Sequence, residues 1–257
     1  MVISKGGLLM SAEVEIYHLY HSGVAVKTAD KVLIFDYYND RSAGDERRLE
    51  LGVINEELLR EEKDIFVFVT HNHHDHFNRV IFDWEEENDN INYILSADVK
   101  LSTAQQKKDN YYVLDKYENL NIDDLVIETY GTTDQGLSYY VEVDGFNIFH
   151  SGDLNWWHWK KFSAAERKVE EEDFKEELAR FKDKNLDIAF VPVDPRLEEH
   201  YYLAGQYFAQ TIAPKLLVPI HFSDNYYITE EFAEVINNLA VESAVINGRG
   251  EKIVYDK

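Results

Sequence analysis

Apolar positions along the chain fall into short continuous or alternating runs, the character of strands, separated by polar turns. Val14 and Ile16 with the cluster at residues 24–26 open the series, and residues 31–36 read as a buried strand. Residues 64–70 are apolar on both faces, as a central strand would be. Residues 91–95 give another strand. Residues 137–143, the turn Asp144-Gly145 and residues 146–149 predict a hairpin. Two late buried strands, 187–193 and 215–220, each contain a proline, which is expected at a strand end or edge. A last hairpin is predicted to turn at Asn247-Gly248, between residues 243–246 and 252–255. Helical periodicity fills the gaps. Ser163 and Glu166 form a capping box ahead of the stripe Phe174, Leu178 and Phe181, while Phe232, Val235, Ile236 and Leu239 mark a shorter helix. Strands mixed with helices and no linker predict one domain over residues 1–257, with 156–184 as a helical insertion near the site described below.

Composition narrows the function. The formal net charge of −23 repels polyphosphate and anionic lipid, so nucleic acid and membrane surfaces are not the expected partners. No cysteine is present, which excludes disulfides, iron–sulfur clusters, thiolate zinc sites and cysteine nucleophiles. A hydrophobic fraction of 45% excludes global disorder, and no apolar run nears the roughly 20 residues that span a bilayer. A cytoplasmic, acidic, globular protein acting on a small-molecule substrate is expected, with the oligomeric state left open. Residues 1–9, with Lys5-Gly6-Gly7 ahead of Met10, read as an over-called leader, with translation starting at Met10.

Four of the ten histidines lie within residues 71–76, where Thr70-His71-Asn72-His73-His74-Asp75-His76 follows the strand at 64–70. The construction recurs. One predicted strand runs into His150-Ser151-Gly152-Asp153, another into Asp194 and a third into His221. Imidazole and carboxylate are what a borderline divalent ion takes when thiolate is unavailable. Four strand ends that each deliver such a group suggest one metal-bearing rim. No Ser-His-Asp arrangement, phosphate-cradling glycine loop or His-Glu-x-x-His helix competes.

The string His71-x-His73-x-Asp75-His76, then Gly152-Asp153 and His221, resembles the metallo-β-lactamase-fold hydrolase superfamily. The opening Ile16-Tyr17-His18-Leu19-Tyr20-His21-Ser22-Gly23 and Leu33-Ile34-Phe35-Asp36 look most like the branch of ascorbate-phosphate lactonase-like and related hydrolases. The resemblance implies an α/β (α+β) fold, a four-layer αββα sandwich. It assigns His71 and His73 to one metal, Asp75, His76 and His221 to a second, and Asp153 to both. It also implies one or two divalent ions, zinc first with manganese or iron as alternatives. A metal-activated hydroxide, oriented by Asp75 as the catalytic carboxylate, would attack a small anionic ester, lactone or phosphodiester.

One departure stands out. The third histidine that the family supplies to the first metal is missing from residues 128–136, where Asp134 is the nearest carboxylate and equally suits a turn. Stepwise loading is expected, with the ion on the His221 side held more firmly. His21 falls where the resembling branch has a histidine near the site, and Arg196 is the candidate for binding an anion. Both are assigned to substrate. His18 and His74 are expected to be structural or to support ligands, Asp36 and Asp194 to orient bound imidazoles, and Trp156, Trp157 and Trp159 to pack under the acidic helix or wall the pocket. Alternatives are a metal-dependent nuclease, which the charge disfavours, and a metal-binding protein without turnover.

Overall fold

Strands β1 (Glu13–Tyr20), β2 (Gly23–Lys27), β3 (Lys31–Phe35), β4 (Asp64–Val69), β5 (Asn92–Ser96) and β6 (Tyr111–Leu114) lie side by side in chain order. A second sheet repeats the plan with β7 (Asn119–Ile122), β8 (Leu125–Tyr130), β9 (Ser138–Val143), β10 (Phe146–His150), β11 (Ile188–Pro192), β12 (Leu216–Ile220) and β13 (Glu242–Ser243). The chain then returns as β14 (Lys252–Asp256), antiparallel to β1. Each sheet begins with antiparallel pairs and ends with parallel ones, β3 to β6 in the first and β10 to β13 in the second. The computed structural model of the protein describes residues 13–61 and 63–257. The reading of residues 1–9 as a leader, and of Met10 as the start, lies outside the described residues.

Strand periodicity decides the layers. Along β3, Leu33 and Phe35 face the space between the sheets, whereas Val32 and Ile34 face outward. The outward face of the first sheet is covered by two 3-10 helices, Leu49–Leu51 and Arg79–Glu86, and by α1 (Glu56–Leu59), through Leu49, Leu58, Ile81 and Trp84. The second sheet is covered by α2 (Ala164–Ala179), α3 (Leu203–Thr211) and α4 (Tyr227–Val235), through Phe174, Leu178, Phe208 and Phe232. The four expected layers are present. The capping box forms, with the Ser163 hydroxyl accepting from Glu166 N–H and the Glu166 carboxylate accepting from Ser163 N–H. No helix among the described residues is long and apolar enough to cross a membrane.

One expectation changes. The predicted terminal hairpin does not form, because residues 243 and 252 belong to different sheets. β13 adds to β12 in parallel at Leu216 and Leu217, then the chain crosses over and β14 completes the edge beside β1. The prolines resolve as predicted: Pro192 ends β11, and Pro219 lies beyond the short stretch where β13 pairs with β12.

His18 on β1 lies fully buried between the sheets, stacked 4.9 Å from Phe222, and neither ring nitrogen has a hydrogen-bond partner among the described residues. It supports no ligand. Burial, with the charge of Arg249 adding, pushes its pKa from 6.5 down to about 3. The unfolded chain therefore binds a proton below pH 6.5 that the folded chain refuses until about pH 3. This contribution to stability is intact above pH 6.5 and is lost as pH falls through that window. At pH 5 the loss is about 2 kcal/mol. Urea unfolding of His18→Leu should show a pH 7 to pH 5 decline smaller by that amount; equal declines in both proteins would contradict the assignment.

Candidate metal centre

The parallel strands aim their carboxyl ends at one rim. β3 ends in Asp36, β4 in Thr70-His71, β10 in Ser151-Gly152-Asp153, β11 in Val193-Asp194, β12 in His221, and the turn after β1 carries His21. His71, His76, Asp153 and His221 are buried there, with His73 and Asp75 partly exposed. Two clusters result: His71, His73 and Asp153, and His21, Asp75, His76 and His221, with the donor atoms of each cluster all within 4.8 Å of one another.

Hydrogen bonds behind the rim fix which nitrogen of each ring faces inward. The Asp36 carboxylate accepts from Thr70 N–H at 2.8 Å and from the Thr70 hydroxyl at 2.7 Å, and it also lies 2.7 Å from His76 Nδ1. With its own proton given to Asp36, Thr70 Oγ1 is left to accept from His71 Nδ1 at 3.0 Å. Asp194 Oδ2 sits 3.2 Å from His221 Nδ1, and Ser223 Oγ sits 3.1 Å from His21 Nδ1. Protons held on Nδ1 of His71, His76 and His221 leave their Nε2 lone pairs directed at the rim, while His21 Nδ1 also meets Ser223 N–H at 3.3 Å. His73 presents Nδ1 instead, 2.9 Å from His71 Nε2. Asp36 and Asp194 are thus the orienting carboxylates anticipated above.

The donor set fits divalent ions. Two donors 2.0–2.1 Å from one tetrahedral ion stand about 3.3–3.4 Å apart. Asp153 Oδ1 lies 3.1 Å from His76 Nε2 and 3.2 Å from His221 Nε2, and its Oδ2 lies 3.6 Å from His71 Nε2. One carboxylate therefore reaches both clusters, an oxygen to each. His21 Nε2, His76 Nε2 and Asp153 Oδ1 are buried and make no hydrogen bond among the described residues, although His76 Nε2 and Asp153 Oδ1 are near neighbours. Buried ring nitrogens and carboxylate oxygens converging this closely need protons or a cation between them, and a divalent ion meets all of them at once. The electrostatics agree. Burial opposes charge on Asp153, yet His76 and His221 outweigh it and hold the carboxyl well below its usual range. Burial likewise opposes charge on His76, and Asp153 and Asp36 outweigh it, raising its pKa well above the ordinary value.

Local backbone brings these groups this close. His21, Asp36, His221 and Ser223 all have positive φ, from 46° to 69°, a region costing non-glycine residues about 1–2 kcal/mol each. His21 carbonyl accepts from His221 N–H at 3.0 Å and so joins two of the strained residues. Gly136 and Gly152 press against Thr70 from the other side. A Cβ on Gly136 would fall 2.1 Å from Thr70 O and 2.4 Å from His71 Cβ.

The rim opens into a cleft of about 490 Å³, walled by Trp157, Trp159 and Phe162, and into a smaller cavity of about 260 Å³ that His21 lines. Trp157 and Trp159 stack in parallel, and Trp157 meets the His221 ring edge-on at 5.7 Å. Trp156 instead packs against Phe174 and Tyr207 beneath α2. Arg196 borders both spaces, held by Asp194 through Nε and Nη2 and lying over Trp159, with Nη1 unengaged among the described residues. Asp134 lines the larger cleft but joins neither cluster. His74 stands exposed at the mouth, its Nδ1 3.8 Å from Asp75 Oδ1. Sequence reasoning did not single out Thr70 and Ser223; the only available signal was that each lies next to, or two residues from, a candidate ligand.

No protein-family model and no curated protein sequence matches the chain. Solved structures do. A metallo hydrolase of the hyperthermophilic archaeon Ignicoccus hospitalis KIN4/I is similar with a TM-score of 0.63 and 17% identity over 95% of this chain and 98% of that one. The metallo-β-lactamase fold protein YhfI of Bacillus subtilis gives a TM-score of 0.58 at 11% identity, covering 95% and 100% of the two chains. The diiron β-hydroxylase CmlA of Streptomyces venezuelae gives 0.60 at 9%, covering 98% of this chain and 55% of that one. At these identities the likeness establishes the fold, a metallo-β-lactamase-type sandwich.

Proposed function

We propose that the protein is a metal-dependent hydrolase of a small molecule, with zinc as the resident ion and an anionic ester, lactone or phosphodiester as substrate. The observation that carries this reading is Asp153, whose two oxygens face separate groups of inward-directed imidazoles at the floor of an open cleft. His71, His73 and Asp153 would hold one ion, and Asp75, His76, His221 and Asp153 the other. Bound divalent ions would activate water near neutral pH and polarise the group under attack.

The chain's own residues supply the rest. Asp75 is the partly exposed carboxylate of the set, and it borders both the large cleft and the smaller cavity. From there it orients the attacking water and accepts its proton. Asp36, through Thr70 and His76, prevents the imidazoles from turning away. Trp157, Trp159 and Phe162 exclude water from one side of the substrate and offer it an apolar face. Arg196, aligned by Asp194, presents Nη1 to an anionic group. The fold also carries a diiron hydroxylase, so hydrolysis is read from this site and not from the fold. The absence of cysteine and the acidic composition favour a cytoplasmic setting.

A panel of lactones, esters, phosphodiesters and thioesters, assayed with metal content measured on the same sample, tests the proposal. Turnover of one class, reduced at least 100-fold in Asp75→Asn with metal retained, is the expected result. A fully metallated protein inactive on every class would favour a binding protein without turnover.

A further inference from the structure

The group that the proposed ligand set leaves unused is His21. Its ring is buried, 4% exposed, and Nε2 has no hydrogen-bond partner among the described residues. That nitrogen stands 3.7 Å from Asp75 Oδ2, and the ring centroid lies 4.0 Å from that of His221 and 5.8 Å from that of His76. Its other nitrogen meets Ser223, much as His76 meets Asp36 and His221 meets Asp194. The backbone fixes the residue as firmly as the side chain does. φ is 56°, and the carbonyl accepts from His221 N–H.

We propose that His21 is a metal ligand, binding through Nε2 the same ion as Asp75, His76 and His221. The assignment rests on the metal-centre reading above and differs from the substrate contact expected of this residue. Substrate recognition needs a donor or acceptor turned toward the cleft. The buried Nε2 of His21 is turned instead toward three groups that all carry ligand lone pairs. Ser223 engages Nδ1 through both its backbone N–H at 3.3 Å and Oγ at 3.1 Å, so Nε2 is the nitrogen left facing the cluster. The second centre then gathers three imidazoles, Asp75 and one oxygen of Asp153, against two imidazoles and the other oxygen in the first. The inequality seen from the missing third histidine is thereby enlarged from the opposite side: one centre is poor in ligands and its neighbour is rich.

Cobalt(II) titration of the metal-free full-length protein, followed by visible absorption and by competition with a chelator, tests this without reference to activity. Wild-type protein should take a first ion tightly and a second weakly. His21→Asn is the informative variant, because asparagine tolerates positive φ and the bond to His221 runs through the backbone. It should weaken the first ion by roughly 10–100-fold or more, change its absorption bands and leave the second ion unchanged. Ser223→Ala should weaken the first ion less and keep its bands. His21→Asn with the circular dichroism of wild type, an unchanged first affinity and unchanged bands would overturn the assignment while leaving the metal centre intact. Wild-type protein that takes up no cobalt would overturn both.

Discussion

Chelation of the proposed divalent ions, verified by elemental analysis, is expected to lower the melting temperature by about 10 °C. The clustered groups come from the turn after β1 and from the ends of β4, β10 and β12, so an ion bound there ties together segments up to 200 residues apart in the chain. An ion held at a thousand times its dissociation constant adds about 4 kcal/mol to folding, and a chain of this size gains about 2–4 °C per kcal/mol. The unfolded chain offers no preformed site, so binding energy is folding energy. Removal also leaves the buried lone pairs of His21, His76 and Asp153 without a cation. Differential scanning calorimetry of the native and stripped protein measures the shift. An unchanged transition after verified removal would show that the clusters do not hold metal in the folded state.

Gly136→Ala is expected to be strongly destabilising and to strike the rim itself. Its φ of +80° is hostile to a side chain, and the added carbon would overlap the backbone oxygen of Thr70 and the Cβ of His71. Left-handed strain of about 1–2 kcal/mol and overpacking of about 1–3 kcal/mol point to a loss of roughly 2–5 kcal/mol. Relief requires moving either the segment just before β9, where Leu137 N–H donates to Thr70 O, or the His71 backbone itself. The variant should therefore lose the ion at His71 and His73 before the one at His221. Chemical denaturation together with metal analysis reads both effects. A stability within 1 kcal/mol of wild type would mean that the two loops are not in contact.

The metal-bearing rim was legible because its signals are local. A strand apolar on both faces that runs into His71-Asn72-His73-His74-Asp75-His76 states both the element and its functional end within thirteen residues. The capping box at Ser163 and the hairpin through Asp144-Gly145 are legible for the same reason. What depended on distant partners was not. β6 and β7 are short and partly exposed, and Asn119 and Asn121 in β7 are poor strand formers, so their place at sheet edges comes from pairing and not from propensity. α3 contains Gly205 because Phe232 of α4 packs onto it, a constraint invisible along the chain. The destination of β14 follows from which sheet has an open edge. His21 carries no local mark of coordination, since its cluster partners lie 54 to 200 residues onward.

This rim is proposed to hold two ions bridged by Asp153. Crystals grown with zinc and measured at the zinc absorption edge test it most directly. Two anomalous peaks about 3.5–4 Å apart are expected on either side of the Asp153 carboxylate. The stronger should lie among His21, Asp75, His76 and His221, and the weaker against His71 and His73. No peak at the rim, or a single ion remote from Asp153, would contradict it.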